Sequence, residues 1–184
     1  MKKLFIMAGL LTTLAFTSCE QPKETLSIIP VPLATEIVGG AFTVNEQTQL
    51  WIEAPEADKQ ILQGFLEASP LKLVVASEAP SANAIVLKQV AELPNVKSAE
   101  GYVLTTTKQG VTIEATSGAG LFYGVQTLRK VLAGANNSKV LSAVEINDAP
   151  RFSYRGAHLD VSRHFITADS VRRFIDMLAL HNIN

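Results

Sequence analysis

The sequence contains very little cysteine, little net charge and few long apolar runs. One cysteine among 184 residues excludes a disulfide within the chain. The 16 basic and 17 acidic residues give a net charge of −1, which excludes the strongly basic surface of a nucleic-acid-binding protein. The apolar run from Leu4 to Phe16 is too short to span a membrane as a helix. With 47% hydrophobic and 18% charged residues, the composition is typical of an ordinary globular chain.

Several motifs that carry chemistry are also missing. No serine lies in a G-x-S-x-G motif. His158, His181 and Asp160 do not have the spacing of zinc ligands, so we predict no metal and no other cofactor. The segment from Ser117 to Gly120 precedes a helix but lacks both G-x-G-x-x-G and a P-loop lysine. We therefore interpret it as a tight turn rather than a phosphate-binding loop.

The N-terminus has the layout of an export signal. Two lysines precede the apolar run, and Cys19 completes a tetrad with Phe16-Thr17-Ser18 that resembles a bacterial lipobox. We predict a signal peptide over residues 1–18, lipidation of Cys19 and a polar tether over residues 19–25. The protein is then an exported lipoprotein, held on a membrane at the periplasmic or cell surface. A cleavable signal with an unmodified thiol is the alternative.

Short strand patterns recur through the middle of the chain. They lie at residues 49–52, 71–75, 84–87, 102–106 and 111–115. Residues 28–32 contain two prolines, so they form an edge or a lead-in rather than a central strand. Alternating apolar residues on both sides of Lys108-Gln109-Gly110 predict that the fourth and fifth strands form an antiparallel hairpin.

Two helical patterns interrupt these strands. The first follows Pro55, and its apolar face comprises Ile61, Leu62, Phe65 and Leu66. The second ends near Gly134, and its apolar face comprises Leu121, Val125, Leu128 and Leu132. Helices with a single apolar face pack onto a sheet. We therefore predict a small α+β domain over residues 26–147, with its helices packed on one face of the sheet.

Residues 148–184 bring a carboxylate and a guanidinium close together in the sequence. Apolar residues alternate around Asp160, which predicts a strand over residues 155–161 and then a loop that carries Arg163 and His164. A carboxylate three residues from an arginine can accept from its guanidinium and fix its rotamer. A purely structural ion pair is the alternative interpretation of these residues.

A helix is predicted directly after this loop. Thr167 is a suitable N-cap and Asp169 lies in the first turn. The apolar stripe of the helix comprises Val171, Phe174, Ile175 and Leu178. Strand, loop and helix make one β/α unit, which requires neighbouring strands because a parallel strand buries both of its faces. We therefore expect the protein to continue beyond Asn184.

This segment resembles the first barrel strand of the family 20 glycoside hydrolases, the β-N-acetylhexosaminidases. The residues that carry the resemblance are Arg155, Gly156, Leu159, Asp160, Arg163, His164 and Phe165. Further upstream, a second set of residues resembles the end of the small domain that precedes the barrel: Glu100-Gly101-Tyr102, Gly120, Phe122-Tyr123-Gly124 and Gln126-Thr127-Leu128. The resemblance covers about residues 26–184 and implies that residues 148–184 begin a truncated (β/α)8 TIM barrel.

The resemblance also implies roles for individual residues. Arg163 matches the arginine that holds the ring of a terminal N-acetylhexosamine, and Asp160 supports it. His164 either forms a hydrogen bond in the same site or packs beside Phe165. The substrate implied is a glycan with a terminal N-acetylglucosamine or N-acetylgalactosamine.

In this family the acetamido oxygen of the substrate attacks its own anomeric carbon, and hydrolysis retains the configuration. An adjacent aspartate and glutamate assist it. After Pro150 the carboxylates are Asp160, Asp169 and Asp176, so we expect the catalytic pair beyond Asn184 and no hydrolase activity in this chain. The alternative is a non-catalytic exported lipoprotein with a packing or carbohydrate-contact domain. Other glycosidase families share a similar small domain, but the motif from Asp160 to Phe165 argues against them.

Overall fold

The computed structural model describes residues 26, 28–69, 71–134 and 139–184. The predicted signal peptide, Cys19 and the predicted tether lie outside the described residues. Within the described ranges, no helix combines the length and the apolar character that crossing a membrane demands.

Seven strands and three helices form within the described ranges. They are β1 (Ala34–Thr43), β2 (Gln49–Glu53), α1 (Glu56–Glu67), β3 (Val74–Val75), β4 (Ala84–Gln89), β5 (Tyr102–Thr106), β6 (Gly110–Ala115), α2 (Gly118–Gly134), β7 (Val140–Asp148) and α3 (Ala168–Leu180). The strands form one mixed sheet in the order β1-β7-β5-β6-β4-β2-β3. The pairs from β6 to β3 are parallel, and those from β1 to β6 are antiparallel.

Most of the predicted strands are present. The predicted hairpin is confirmed as β5 and β6, with Tyr102 opposite Ala115. Of the strand predicted at 71–75, only β3 forms. β1 was not predicted, because Gly39 and Gly40 interrupt its alternation. Both glycines have positive φ, 84° and 106°, and the register of β1 against β7 shifts at this point.

α1 and α2 pack on one face of the sheet, as predicted. Buried side chains alternate with less buried ones along β5 and β6, and Leu104 and Ile113 are at most 1% exposed. The two helices also contact each other, where the rings of Phe65 and Phe122 lie 5.0 Å apart. The prediction that Ile61 belongs to the buried face of α1 is wrong. Its side chain is 65% exposed, because α1 covers only the β2 side of the sheet and buries a narrow stripe.

The segment from Ser117 to Gly120 is a helix start and not the predicted tight turn. The Ser117 hydroxyl accepts from the backbone N–H of Gly120 at 3.1 Å, so it caps α2. Gly120 is needed because α2 lies so close to the sheet that a Cβ there would come within 2.5 Å of the Gly101 carbonyl oxygen. The Asp58 carboxylate lies against Gly118. A carboxylate of the protein itself therefore occupies the positive end of the α2 dipole.

The segment after β7 differs from its prediction in one respect. Residues 155–161 form no hydrogen-bonded strand, so the predicted strand is wrong for the described chain. The physical reason is that a parallel strand forms only beside neighbours, and the sheet ends before this segment. α3 forms as predicted, and the Thr167 hydroxyl caps it by accepting from the N–H of Ser170 at 3.3 Å. No residue of α3 is buried, and Ile175 is 56% exposed.

Candidate functional site

Asp160 and Arg163 lie together at the bend that follows the extended segment. One Asp160 carboxylate oxygen accepts from Nε of Arg163 at 3.0 Å. The other oxygen accepts from the backbone N–H groups of Ser162 at 2.9 Å and Arg163 at 3.3 Å. The carboxylate therefore holds both the turn and the guanidinium, and its support of a sugar-binding arginine stays a prediction.

The guanidinium of Arg163 is held at one side and open at the other. Its side chain is 86% exposed, and its terminal nitrogens have no partner within the described residues. His164 is exposed as well, and the neighbouring Phe165 is 90% exposed. The described chain therefore presents an oriented cation, a histidine and an aromatic ring together on one loop. Their roles in binding stay predictions.

A second polar cluster was not predicted. Arg155 and Glu100 form a two-pronged ion pair, with Nη2 to Oε1 at 2.7 Å and Nη1 to Oε2 at 3.1 Å. The Tyr123 hydroxyl donates to Glu100 at 3.1 Å and accepts from Arg155 at 3.0 Å. The guanidinium also lies 5.4 Å from the centre of the Tyr123 ring. Sequence reasoning recorded Arg155 and Glu100 only as motif residues, because 55 positions separate them.

The charges of this cluster support one another. The hydrogen bond from Arg155 holds the pKa of the Glu100 carboxyl below its ordinary value of 4.5, against the opposing effect of burial. The same bond raises the pKa of Arg155. Burial raises the pKa of the Tyr123 hydroxyl, so it stays protonated and donates. The three groups are therefore a stable ion-pair network at neutral pH.

We expect Glu100→Gln to lower stability at neutral pH but not in acid. Because the folded-state pKa of Glu100 is lowered, its stabilisation is present above about pH 4.5 and disappears as the pH falls through the lowered value. At pH 7 the substitution should lower the free energy of unfolding by about 1–3 kcal/mol, as the loss of other charge-assisted hydrogen bonds does. Calorimetric melting of both proteins between pH 7 and pH 3 measures this. A gap in melting temperature that stayed constant down to pH 3 would contradict it.

A buried hydroxyl network lies next to this cluster, under the junction of the small domain and residues 149–184. The Tyr102 hydroxyl donates to Asp148 at 2.9 Å, so the 2.6 Å bond from Thr127 makes Thr127 the donor to Tyr102. Burial, and then the Asp148 charge, raise the pKa of Tyr102. A cavity of about 250 Å³ borders Tyr102, Asp148 and Arg155. These groups are tied to one another and lie inside the junction, which indicates a structural role.

Nothing in the described chain forms a candidate metal site. No group of three or more histidine, cysteine, aspartate or glutamate side chains comes together there.

Comparisons with known proteins assign both parts of the chain. Residues 25–149 match the profile "Glycosyl hydrolase family 20, domain 2", and residues 152–184 match "Glycosyl hydrolase family 20, catalytic domain". The chain is 33% identical over 205 residues to a β-hexosaminidase of Porphyromonas gingivalis, with 100% of this chain and 26% of the relative covered.

Solved structures agree with these matches. A β-N-acetylhexosaminidase of Bacteroides fragilis superposes with a TM-score of 0.73 at 25% identity, over 85% of this chain and 32% of that one. A mutant β-hexosaminidase of Streptomyces plicatus in complex with its product GlcNAc superposes with a TM-score of 0.74 at 29% identity, over 90% of this chain and 34% of that one. The chain thus spans about a quarter to a third of the length of these relatives. The predicted fold class is confirmed, and the chain belongs to glycosyl hydrolase family 20.

Proposed function

We propose that this chain is the amino-terminal part of an exo-β-N-acetylhexosaminidase, which removes terminal N-acetylglucosamine or N-acetylgalactosamine from glycans with retention of configuration. The observation that carries the proposal is the match of residues 152–184 to the catalytic domain of the family, in the same segment as the oriented guanidinium of Arg163. The relatives named above are hexosaminidases, and one of them holds GlcNAc.

In this proposal Arg163 binds the terminal sugar. A guanidinium is a planar fork of donors, and it matches two adjacent hydroxyls of a pyranose ring better than the point charge of a lysine. Asp160 holds Nε of this fork and leaves both terminal nitrogens for the ligand. Because the carboxylate also holds the turn, the guanidinium would meet the sugar with little loss of freedom.

The hydrolytic step needs carboxylates that these residues do not supply. Substrate-assisted hydrolysis requires one group to orient the acetamido oxygen and one acid to protonate the leaving oxygen. Asp160 is engaged by Arg163, and Asp169 accepts from Arg172 at 2.7 Å. Asp176 lies exposed on α3. We propose that an aspartate and glutamate pair encoded beyond Asn184 performs this chemistry.

We further propose that residues 26–147 are the small domain and that residues 148–184 are the first β/α unit of a TIM barrel. The backbone N–H of Asn184 donates to the carbonyl of Arg155 at 3.0 Å, which is the contact expected where a second parallel strand begins beside the first. The exposed apolar side chains of α3 fit a helix that barrel strands and neighbouring helices cover.

Export and lipid anchoring are part of the proposal and rest on the sequence of the N-terminus alone. Labelling cells with radioactive palmitate should mark the wild-type protein and not the Cys19→Ser variant. If neither protein were labelled, the N-terminus would be an ordinary cleavable signal with an unmodified thiol.

The enzymatic proposal is tested on the longer protein, meaning the product of the gene read past the codon for Asn184. That reading should reveal further β/α units and an Asp-Glu pair. The longer protein should release nitrophenol from a nitrophenyl N-acetyl-β-glucosaminide and not from the matched glucuronide, whereas the 184-residue chain should release none. A stop codon after Asn184 would favour the non-catalytic lipoprotein. Equal hydrolysis of both substrates would point to another glycosidase family.

A further inference from the structure

The guanidinium of Arg155 has a partner for every one of its five N–H groups. Besides Glu100 and Tyr123, its Nε donates to the carbonyl of Asn182 at 2.6 Å and its Nη1 donates to that of Phe152 at 2.6 Å. The side chain is 12% exposed. Such complete pairing is unlike that of Arg163, whose side chain is 86% exposed. The sugar-binding role proposed for Arg163 does not require this complete pairing of Arg155.

These contacts join four separate parts of the chain. Glu100 precedes β5 and Tyr123 lies on α2, so both belong to the small domain. Phe152 begins the segment after β7, and Asn182 follows the end of α3. One side chain thus holds the start and the end of the β/α unit against the small domain. The side-chain amide of Asn184 also holds the end of the unit to its start. It donates to the Ser153 carbonyl at 2.8 Å and accepts from the backbone N–H of Arg155 at 2.9 Å.

Arg155 stands at the opposite end of the extended segment from Arg163. A barrel enzyme meets its substrate at the carboxyl ends of the strands, so Arg155 would not touch a sugar. The position and direction of the segment at residue 155 nevertheless determine where its other end, with Asp160 and Arg163, lies. A shift of this end relative to the small domain would be transmitted along residues 156–162 to the loop.

We propose that Arg155 is a positioning residue, which clamps residues 152–184 onto the small domain and thereby fixes the place of Asp160 and Arg163. The effect on sugar binding rests on the proposed function. The clamp itself does not. A lysine could keep the charge, but it has no planar fork and cannot pair with Glu100 in two prongs while it also reaches Asn182.

Hydrogen exchange in the 184-residue chain tests the clamp. Arg155→Met should speed exchange of the α3 amides about 10- to 100-fold, since charge-assisted bonds that hold the segment are lost. Glu100→Gln should give a similar but smaller acceleration, and the double variant should not exceed Arg155→Met by more than about twofold, because both changes break one interaction. Unchanged protection in β5 and β6 would show that the small domain stays folded.

Arg172 provides the matched control. It also pairs with an aspartate, at 2.7 Å, but both side chains are more than 70% exposed. Arg172→Met should change exchange elsewhere in α3 less than about twofold, as for exposed ion pairs. Equal exchange rates of the α3 amides in wild type and Arg155→Met would overturn the clamp. It would also be overturned if the acceleration in the double variant equalled the product of the accelerations by Arg155→Met and Glu100→Gln.

Steady-state kinetics of the longer protein tests the positioning role. Arg155→Lys should raise KM for the nitrophenyl N-acetylglucosaminide about tenfold and leave kcat within about twofold, because sugar binding is disturbed and the acid is not. A merely structural loss would reduce the active fraction, so kcat would fall at constant KM, and this result would overturn the role. If the wild-type longer protein were inactive, the proposed function would fail, while the exchange experiment would still decide on the clamp.

Discussion

Arg163→Ala in the longer protein should weaken binding of N-acetylglucosamine about 100-fold or more. The substitution would remove the two charge-assisted hydrogen bonds proposed between Arg163 and the ring, each of about 1.5–3 kcal/mol, and it leaves Asp160 without its cation. Titration calorimetry with the free sugar measures the loss without any need for turnover. The melting temperature should hardly change, because the guanidinium is 86% exposed.

Arg172→Ala is a close control for this substitution. Arg172 and Arg163 are both arginines that pair with an aspartate three residues earlier, but Arg172 lies on α3. We expect sugar affinity within about twofold of wild type for Arg172→Ala, because a rim or surface charge contributes little. If Arg163→Ala also bound the sugar normally, the pair with Asp160 would be the structural ion pair that the sequence left as an alternative.

Leu62→Ala should lower the free energy of unfolding of the small domain by about 2–5 kcal/mol, whereas Ile61→Ala should change it by less than about 0.5 kcal/mol. Leu62 lies on the buried side of α1 and is 1% exposed, whereas Ile61 is 65% exposed on the same turn. Alanine also has a higher helix propensity than isoleucine, which offsets the small loss of apolar contact.

Urea unfolding followed through Trp51 fluorescence measures both changes. Trp51 is the one tryptophan of the chain and lies on β2, the strand that α1 contacts. A loss for Ile61→Ala as large as that for Leu62→Ala would mean that α1 is rotated from the position described above. Ile61 would then belong to the buried face of α1, as the sequence pattern predicted.

The predictions that succeeded are those in which the signal is local. The β5–β6 hairpin and the Thr167 cap are each defined by residues a few positions apart. Asp160 and Arg163 are likewise only three residues apart and form an ion pair, whereas their roles in binding stay predictions. Short-range periodicity and hydrogen-bonding chemistry are therefore enough to predict these features.

The failures have the opposite cause. Whether the Ile61 side chain is buried depends on how much of α1 the sheet covers. The positions of β2 and α2 decide this, and the apolar pattern of α1 does not. Residues 155–161 carry a strand pattern, yet a strand also needs neighbours to pair with. The contacts between Arg155 and Glu100 span 55 positions, so no spacing rule could predict them.

The order of strands in the sheet has a consequence for how the protein emerges from the ribosome. Within the described residues, β1 lies at the edge of the sheet and pairs with β7, and Ala34 stands opposite Asn147. The first strand of this sheet must therefore wait for its last strand, and such long-range pairing is slow to form. A nascent chain halted before Val140 has no partner for β1. β7 and the residues before it precede Arg155 in the chain, so Glu100 and Tyr123 are both synthesised before the arginine that pairs with them.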